Sequence, residues 1–216
     1  MQNIDLVQIL IVLVVLISSL SVHEAAHAFA ADRLGDSTAR QLGRLSLNPA
    51  VHIDPIGTLI FPLIAFMTGV PLIGWAKPVP VNTRFLKHPK RDFAIIAAAG
   101  PASNVVMAVI GAIALSLARN AAGPGDIAAG AVTGPLVQLL FLFAIVNVLL
   151  AVFNMIPVPP LDGGNVLLGL LPAGPARAVE HLRPYGIFIL YALMLTGALS
   201  AILGPVLGYS RYLLGF

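Results

Sequence analysis

The sequence predicts an all-α polytopic membrane protein that carries a small β-hairpin at the membrane surface. Its 216 residues are 58% apolar and only 10% charged, and the mean hydropathy is +0.95. An ordinary soluble domain contains about 45–50% apolar and about 25% charged residues. This composition excludes a soluble monomer. It also excludes an intrinsically disordered chain, because the sequence has ample apolar surface to bury.

Two further features of the composition limit the chemistry and the partners. The chain contains no cysteine, so disulfides, thiolate ligands and cysteine nucleophiles are excluded, and any metal must be bound through nitrogen and oxygen. The net charge is +3, and the twelve Lys and Arg residues lie between the apolar runs. This placement is typical of topology signals and not of nucleic-acid binding, so we expect no nucleic-acid partner.

Four apolar runs are long enough to cross a membrane, which requires about 20 mainly apolar residues. These predicted spans cover about residues 6–31, 93–118, 135–155 and 185–208. The first run follows no basic segment and precedes no small-residue cleavage site, so we expect a retained membrane segment and not a signal peptide. We expect residues 1–216 to form a single integral-membrane domain without an appended soluble domain.

A fifth apolar run, Ile56–Ile73, is interrupted by glycine and proline. These residues bend or break helices, and the backbone groups they free are tolerated at membrane depth only beside protein or a water-filled cavity. The flanking segments 32–52 and 74–92 are both basic, and a full crossing would place them on opposite faces of the membrane. The sequence therefore favours a re-entrant hairpin with both basic segments in the cytoplasm, and a bent span is the alternative.

Two segments beside this run have the character of surface strands. Thr38–Leu47 alternates in part around Gly43, which predicts two short strands or a β-hairpin. Trp75–Val81 has regularly spaced prolines and is expected to form another extended surface strand.

The clearest chemical signal is HEAAH at residues 23–27. Histidines four residues apart lie on one helix face and can bind one metal ion, while the adjacent Glu24 can reach a metal-bound water. The alternative is a pair of helical histidines that bond only to backbone or water. That alternative is disfavoured because ionisable residues inside a membrane segment are costly and usually functional. The pattern therefore predicts a zinc hydrolase with His23 and His27 as ligands.

The third ligand that a catalytic zinc ion requires has one strong candidate. The position six residues after His27 is Arg33, which excludes the metzincin pattern, and Glu180 lies in a polar segment. Asp162 lies in NMIPVPPLDGG at residues 154–164, and the predicted topology places it at the depth of His27. Its alternative role is the N-cap of a short helix, because Asp precedes Gly-Gly-Asn and an apolar run. The histidine pair favours the ligand.

Three motifs together resemble the site-2 protease family of intramembrane zinc metalloproteases. They are HEAAH in the first apolar helix, AAAGPASN at residues 97–104 and NMIPVPPLDGG at residues 154–164. Residues 42–58 and 74–82 resemble the compact prokaryotic branch of that family, which has no PDZ domain.

The resemblance implies a three-helix catalytic core that cleaves transmembrane protein substrates within the bilayer. It implies one zinc ion per chain, bound by His23, His27 and Asp162. It also implies general acid/base catalysis by Glu24 and a polar Asn154 near the substrate or the oxyanion. We therefore expect a multi-pass protein of the cell membrane whose active site lies toward the cytoplasm.

Two other functions remain as alternatives at this stage. A zinc transporter or other metal-binding membrane protein would also use intramembrane His and Asp, but it has no need of Glu24 beside the first histidine. A catalytically inactive scaffold that binds helices is disfavoured by the complete set of ligands. Among other polar residues, we expect Asn104 to form helix–helix hydrogen bonds. His52 is expected either to bind substrate or line a water route, or else to stabilise a surface turn.

Overall fold

The computed structural model describes residues 6–69, 74–121 and 133–215, and most of these residues are helical. The α-helices among them are α1 (Leu6–Arg33), α2 (Thr38–Gln41), α3 (Phe61–Thr68), α4 (Pro89–Ala121), α5 (Thr133–Asn154), α6 (Asp162–Leu170), α7 (Ala173–His181), α8 (Gly186–Leu195) and α9 (Ala198–Leu213). A π-helix, Pro55–Ile60, leads into α3, and 3-10 turns lie at Pro49–Val51, Thr83–Phe85 and Arg183–Tyr185. The predicted all-α character is confirmed.

Within the described residues, three helices are long and apolar enough to cross a membrane, namely α1, α4 and α5. The C-terminal helices meet the same criterion only as a pair that bends by 67° between Leu195 and Ala198. Gly197 lies at this bend with a φ of +79°, a left-handed conformation that glycine adopts without steric cost. The predicted span at 185–208 is therefore divided, and it does not form one straight helix.

Helix α4 is central, because it packs against α1, α5 and α6. Gly111 permits the contact with α5, since a Cβ atom at this position would lie 2.8 Å from Phe143 Cδ1. Small residues allow helix backbones to approach closely in a membrane. The opposite face of α4 is apolar and exposed, as expected for contact with lipid. This face carries Val105, Val109, Ile113 and Leu117.

The predicted β-hairpin at Thr38–Leu47 is wrong. Thr38–Gln41 forms the single turn α2, and the described residues contain no β-strand. The buried carboxylate of Asp36 accepts the backbone N–H of Thr38 at 3.0 Å and that of Asn82 at 2.6 Å. The local bond to Thr38 satisfies the start of the turn and competes with strand pairing, while the bond from Asn82 ties the turn to a distant segment. The polar residues that precede Gly43 therefore determine the local structure more strongly than the partial alternation around it.

The segment Trp75–Val81 is extended, but it does not pair as a strand. Pro78 and Pro80 have no N–H to donate, which interrupts a β-ladder. Its backbone groups instead bond individually to other parts of the chain. The Lys77 N–H donates to His52 O at 2.9 Å, and the Lys77 carbonyl accepts a 2.5 Å bond from the Arg44 guanidinium.

Trp75, two residues beyond the fifth apolar run, contacts the residues where that run begins. Its π-helix and α3 contain 6 and 8 residues, which at 1.5 Å per residue is too short to cross a core of about 30 Å. The Trp75 N–H donates to Gly57 O at 3.1 Å, and Thr58 Oγ1 donates to Trp75 O at 2.8 Å. Residues 70–73 of the predicted hairpin lie outside the described residues. The contacts between Trp75 and the start of the run support the re-entrant topology as a proposal.

Cysteine labelling tests this topology directly, because the native chain contains no cysteine. Ser46→Cys and Thr83→Cys lie on either side of the run and should react with a membrane-impermeant maleimide from the same face of oriented vesicles. Asn120→Cys, at the other end of α4, is the control and should react from the opposite face. Labelling of Ser46→Cys and Thr83→Cys from opposite faces would establish a full crossing.

Candidate metal centre

Helix α1 brings two imidazoles together in the interior of the protein. His23 and His27 lie one helical turn apart, and their side chains are buried. Their Nε2 atoms are 3.1 Å apart, and the two rings meet edge to face with centroids 4.7 Å apart. The predicted placement of both histidines on one face of the helix is what the structure shows.

Asp162 reaches the same point from α6. Its Oδ2 atom lies 3.1 Å from His23 Nε2 and 3.4 Å from His27 Nε2. The helix begins at Asp162 itself, and Leu161 occupies the N-cap position. Asp162 Oδ2 is buried and has no hydrogen-bond partner among the described residues. The N-cap role considered for Asp162 is therefore not realised, because its side chain is directed to the imidazoles.

Glycine permits α6 to start at this position. A Cβ atom at Gly163 would lie 2.3 Å from Met155 O, and one at Gly164 would lie 2.5 Å from Pro159 N. Any larger residue would push the start of α6 away from the loop that follows α5. The Gly-Gly pair thereby holds Asp162 close to α1.

The outer nitrogens of both imidazoles have acceptors as partners. His27 Nδ1 lies 2.7 Å from the carbonyl oxygen of Ile96, and His23 Nδ1 lies 2.6 Å from Asn104 Oδ1. Because these oxygens can only accept, each Nδ1 carries a proton, and in the neutral form of each ring the lone pair lies on Nε2 and points inward.

In that neutral form, three acceptor atoms meet at one point. The two Nε2 atoms and one carboxylate oxygen lie within 4.8 Å of one another. Burying unpaired acceptors and a carboxylate is costly unless a cation compensates. Two imidazole nitrogens and a carboxylate oxygen are also a ligand set used by catalytic zinc. The residues present fit a zinc ion.

Glycine also makes room on the α4 side. A Cβ atom at Gly100 would lie 2.4 Å from His27 Nε2 and 2.6 Å from His23 Nε2. Gly100 was not among the predicted site residues, although it belongs to the motif at residues 97–104. No property of an isolated glycine indicates which side chains it faces.

The other two predicted site residues line a cavity of about 570 Å³ beside this cluster. Glu24 is buried, and its Oε2 accepts the backbone N–H of Val79 at 3.0 Å. Asn154 lies at the end of α5, where its Nδ2 donates to Leu150 O at 2.9 Å. An amide nitrogen carries two hydrogens, so one N–H of Asn154 is left for a ligand. The remaining walls are mostly apolar. They include Leu20, Trp75, Phe93, Leu150, Phe153 and Ile187.

His52 does not line this cavity. Its buried ring places Nε2 2.8 Å from Ser46 O, and its carbonyl accepts the Lys77 N–H. Of the two roles expected for His52, the structure supports stabilisation of a turn.

Comparison with known proteins provides an independent finding. The family model described as "Peptidase family M50" matches residues 11–196. "Putative zinc metalloprotease YwhC" of Bacillus subtilis (strain 168) is 38% identical over 198 residues, which cover 92% of this chain and 86% of the relative. "Putative zinc metalloprotease Rip2" of Mycolicibacterium smegmatis is 34% identical, and the match covers 84% of this chain and 65% of the relative. No solved structure is significantly similar to the chain.

The space at Gly100 leads to a specific test. Gly100→Ala should greatly reduce the metal content of the purified protein, because the added methyl group overlaps both Nε2 atoms. Metal content can be measured by plasma mass spectrometry. Gly111→Ala is the control. Gly111 lies on α4, as Gly100 does, but its added methyl group would crowd α5 and not the histidines. Gly111→Ala should lower thermal stability with little change in metal content. Equal metal content in Gly100→Ala and the native chain would show that Gly100 does not shape the site.

Proposed function

Because the chain belongs to peptidase family M50, the site-2 protease family, it is an intramembrane zinc metalloprotease, and we propose that His23, His27 and Asp162 bind its zinc ion. The match over residues 11–196 confirms the family predicted from the three motifs. It also favours the protease over the transporter that the composition allowed. The observation that carries the assignment of the ligands is the cluster of two imidazole nitrogens and one carboxylate oxygen, in which the buried Asp162 Oδ2 has no hydrogen-bond partner among the described residues.

The protein supplies preformed ligands and a shielded cavity for the reaction. When bound, zinc supplies Lewis-acid activation of the attacking water, whose pKa falls toward about 7, and of the scissile carbonyl. The hydrogen bonds from His23 and His27 to Asn104 and Ile96 hold both rings with Nε2 directed inward. Such outer hydrogen bonds orient ligands and raise their basicity.

Glu24 is proposed as the general base and acid. It follows His23 directly in α1 and lines the same cavity as the three proposed ligands. Its carboxylate would take a proton from the attacking water and deliver it to the leaving nitrogen. The Val79 N–H, 3.0 Å from Oε2, holds this carboxylate in one orientation. Glu24 therefore does not need to be a ligand to take part in the reaction.

Substrates are proposed to be transmembrane segments of other proteins. Such a segment has its amides bonded within a helix, so it must unwind locally before a peptide bond can enter the cavity. The apolar walls suit membrane-derived side chains, and residues of the extended segment Trp75–Val81 line the same cavity as the proposed reactive residues. The available N–H of Asn154 would donate to the substrate carbonyl as negative charge develops on it.

The active site is proposed to face the cytoplasm. Helix α1 ends at Arg33, six residues beyond His27, and basic segments follow it and precede α4. Positively charged loops are retained on the cytoplasmic side. Water and unwound substrate would then reach the cavity from that side.

Glu24→Gln separates catalysis from metal binding. The variant should keep its zinc, because Glu24 is outside the ligand cluster, and it should lose about 10²–10⁴-fold in cleavage rate. Zinc content and cleavage of a panel of single-span substrates in proteoliposomes are the measurements. Glu180→Gln, on the exposed surface of α7, is the matched control and should be fully active. Undiminished cleavage by zinc-loaded Glu24→Gln would contradict the proposed mechanism.

Asp162→Asn tests the third ligand. Loss of the anionic oxygen should weaken zinc binding by more than about 100-fold, beyond the 10–100-fold typical of losing an outer hydrogen-bond partner. The measurement is equilibrium competition with a chromophoric chelator. Asp32→Asn, whose carboxylate pairs with Arg40 away from the site, should bind zinc normally. Native zinc affinity in Asp162→Asn would exclude this residue as a ligand.

A further inference from the structure

A chain of buried side-chain hydrogen bonds links the metal centre to α5. Asn104 Oδ1 lies 2.6 Å from His23 Nδ1, and Asn104 Nδ2 donates to Asn147 Oδ1 at 2.7 Å. Asn147 Nδ2 in turn donates to Ser19 Oγ at 2.9 Å. The side chains of Ser19, Asn104 and Asn147 are all fully buried. These hydrogen bonds thus connect α1, α4 and α5 within their membrane-spanning parts.

The donor and acceptor roles along these hydrogen bonds are determined at Asn147, which lies on α5. Asn147 Nδ2 also donates to the carbonyl oxygen of Phe143 at 2.8 Å. Since a backbone carbonyl can only accept, the amide group of Asn147 that faces it must be the nitrogen. The side-chain oxygen of Asn147 therefore faces Asn104, and the side-chain nitrogen of Asn104 must donate to it. The oxygen of Asn104 then faces His23, whose Nδ1 must be the donor.

This arrangement of donors and acceptors decides whether His23 can bind a metal. A neutral imidazole carries one proton, and a proton on Nδ1 leaves the lone pair on Nε2. If the Asn104 amide turned over, its nitrogen would face Nδ1 and the proton would belong on Nε2. The two orientations of an amide have nearly the same shape, so packing alone does not select between them. The acceptor oxygen of Asn147 selects the orientation of the Asn104 amide.

We propose that Asn147 is a positioning residue for the zinc centre, which fixes the amide orientation of Asn104 and thereby keeps the proton of His23 on Nδ1. The inference rests on the proposed role of His23 as a zinc ligand. His27 needs no such device, because its Nδ1 donates to the backbone carbonyl of Ile96, which cannot turn over.

The position of Asn147 in the sequence agrees with this role. It is the one polar residue in the run from Leu139 to Phe153, and polar groups in a membrane span are costly and usually functional. A structural alternative is that Asn147 only joins helices by hydrogen bonds. The two roles differ in their effect on zinc affinity, because a helix contact alone does not determine the tautomer of His23.

The test measures zinc affinity of the purified full chain by equilibrium competition with a chromophoric chelator. Asn147→Leu is of similar size and offers no acceptor to Asn104, so the apparent Kd for zinc should rise about 10-fold or more. Asn147→Asp, neutral when protonated, keeps an acceptor for Asn104 and should bind zinc nearly as the native chain does. Ile145→Ala is the control for looser packing of α5 and should lower thermal stability without changing the Kd.

A second substitution provides a rescue that a merely structural role would not predict. Asn104→Asp offers His23 an acceptor oxygen in either orientation, so it no longer needs Asn147 to orient it. In the Asn147→Leu background it should restore most of the zinc affinity. In the native background it should weaken binding, because its oxygen would face the Asn147 oxygen.

The outcomes are distinct. An unchanged Kd in Asn147→Leu, or a loss that Asn104→Asp does not reverse, would overturn the proposal and leave Asn147 as a helix contact. If Asn147→Leu does not fold, Asn147→Ala takes its place in the same comparisons. His23→Ala reports on the underlying site. If it too retains native zinc affinity, the proposed ligand set is wrong, whereas a loss in His23→Ala alone refutes only the role of Asn147.

The native pair Ser19 and Ser21 provides an internal comparison. Ser19 accepts from Asn147, whereas Ser21 donates to Ile17 O within its own helix at 2.6 Å. Both serines are buried. Ser19→Ala should raise the zinc Kd by less than Asn147→Leu, because the Phe143 carbonyl still orients Asn147. Ser21→Ala should leave the Kd unchanged, and an equal effect of both substitutions would contradict the proposed chain.

Discussion

The two Nε2 atoms of His23 and His27 and the carboxylate of Asp162 share one buried point, with separations of 3.1–3.4 Å. Acceptors that converge in this way are stable together only when a cation lies among them. The surrounding backbone is adapted to this requirement. Gly100 leaves room for the imidazoles, and Gly163 lets α6 begin close to the loop after α5. The fold around the site therefore holds the three proposed ligands, which come from two helices, at one place.

The membrane adds a second requirement, which is that every polar group at depth must find a partner within the protein. The Nδ1 atoms of His27 and His23 find such partners in the carbonyl oxygen of Ile96 and the side-chain oxygen of Asn104. The same bonds orient each ring so that its Nε2 faces the proposed metal site. The same contacts thus satisfy polar groups in an apolar solvent and orient the proposed zinc ligands. This coincidence explains why buried amides occur in helices whose outer faces are apolar.

Sequence patterns were reliable where one physical cause dominated. Long apolar runs predicted α1, α4 and α5, because a membrane helix requires about 20 apolar residues whatever its neighbours are. Weak or composite patterns failed. The alternation at 38–47 was outweighed by the hydrogen bonds of Asp36 to Thr38 and Asn82. The last apolar run was long enough for a span, but apolarity does not register the left-handed turn at Gly197.

In the candidate site too, some features follow from a local sequence pattern and others depend on the tertiary structure. HEAAH alone determined that two imidazoles and Glu24 share one turn of helix, because helical geometry relates residues four apart regardless of the rest of the chain. Only the tertiary structure decided that Asp162 turns to these imidazoles instead of capping α6, and that Asn104, Asn147 and Ser19 form one hydrogen-bonded chain behind His23. Those partners lie on different helices, and their distances depend on how α4 packs against α1 and α5, which no local pattern encodes.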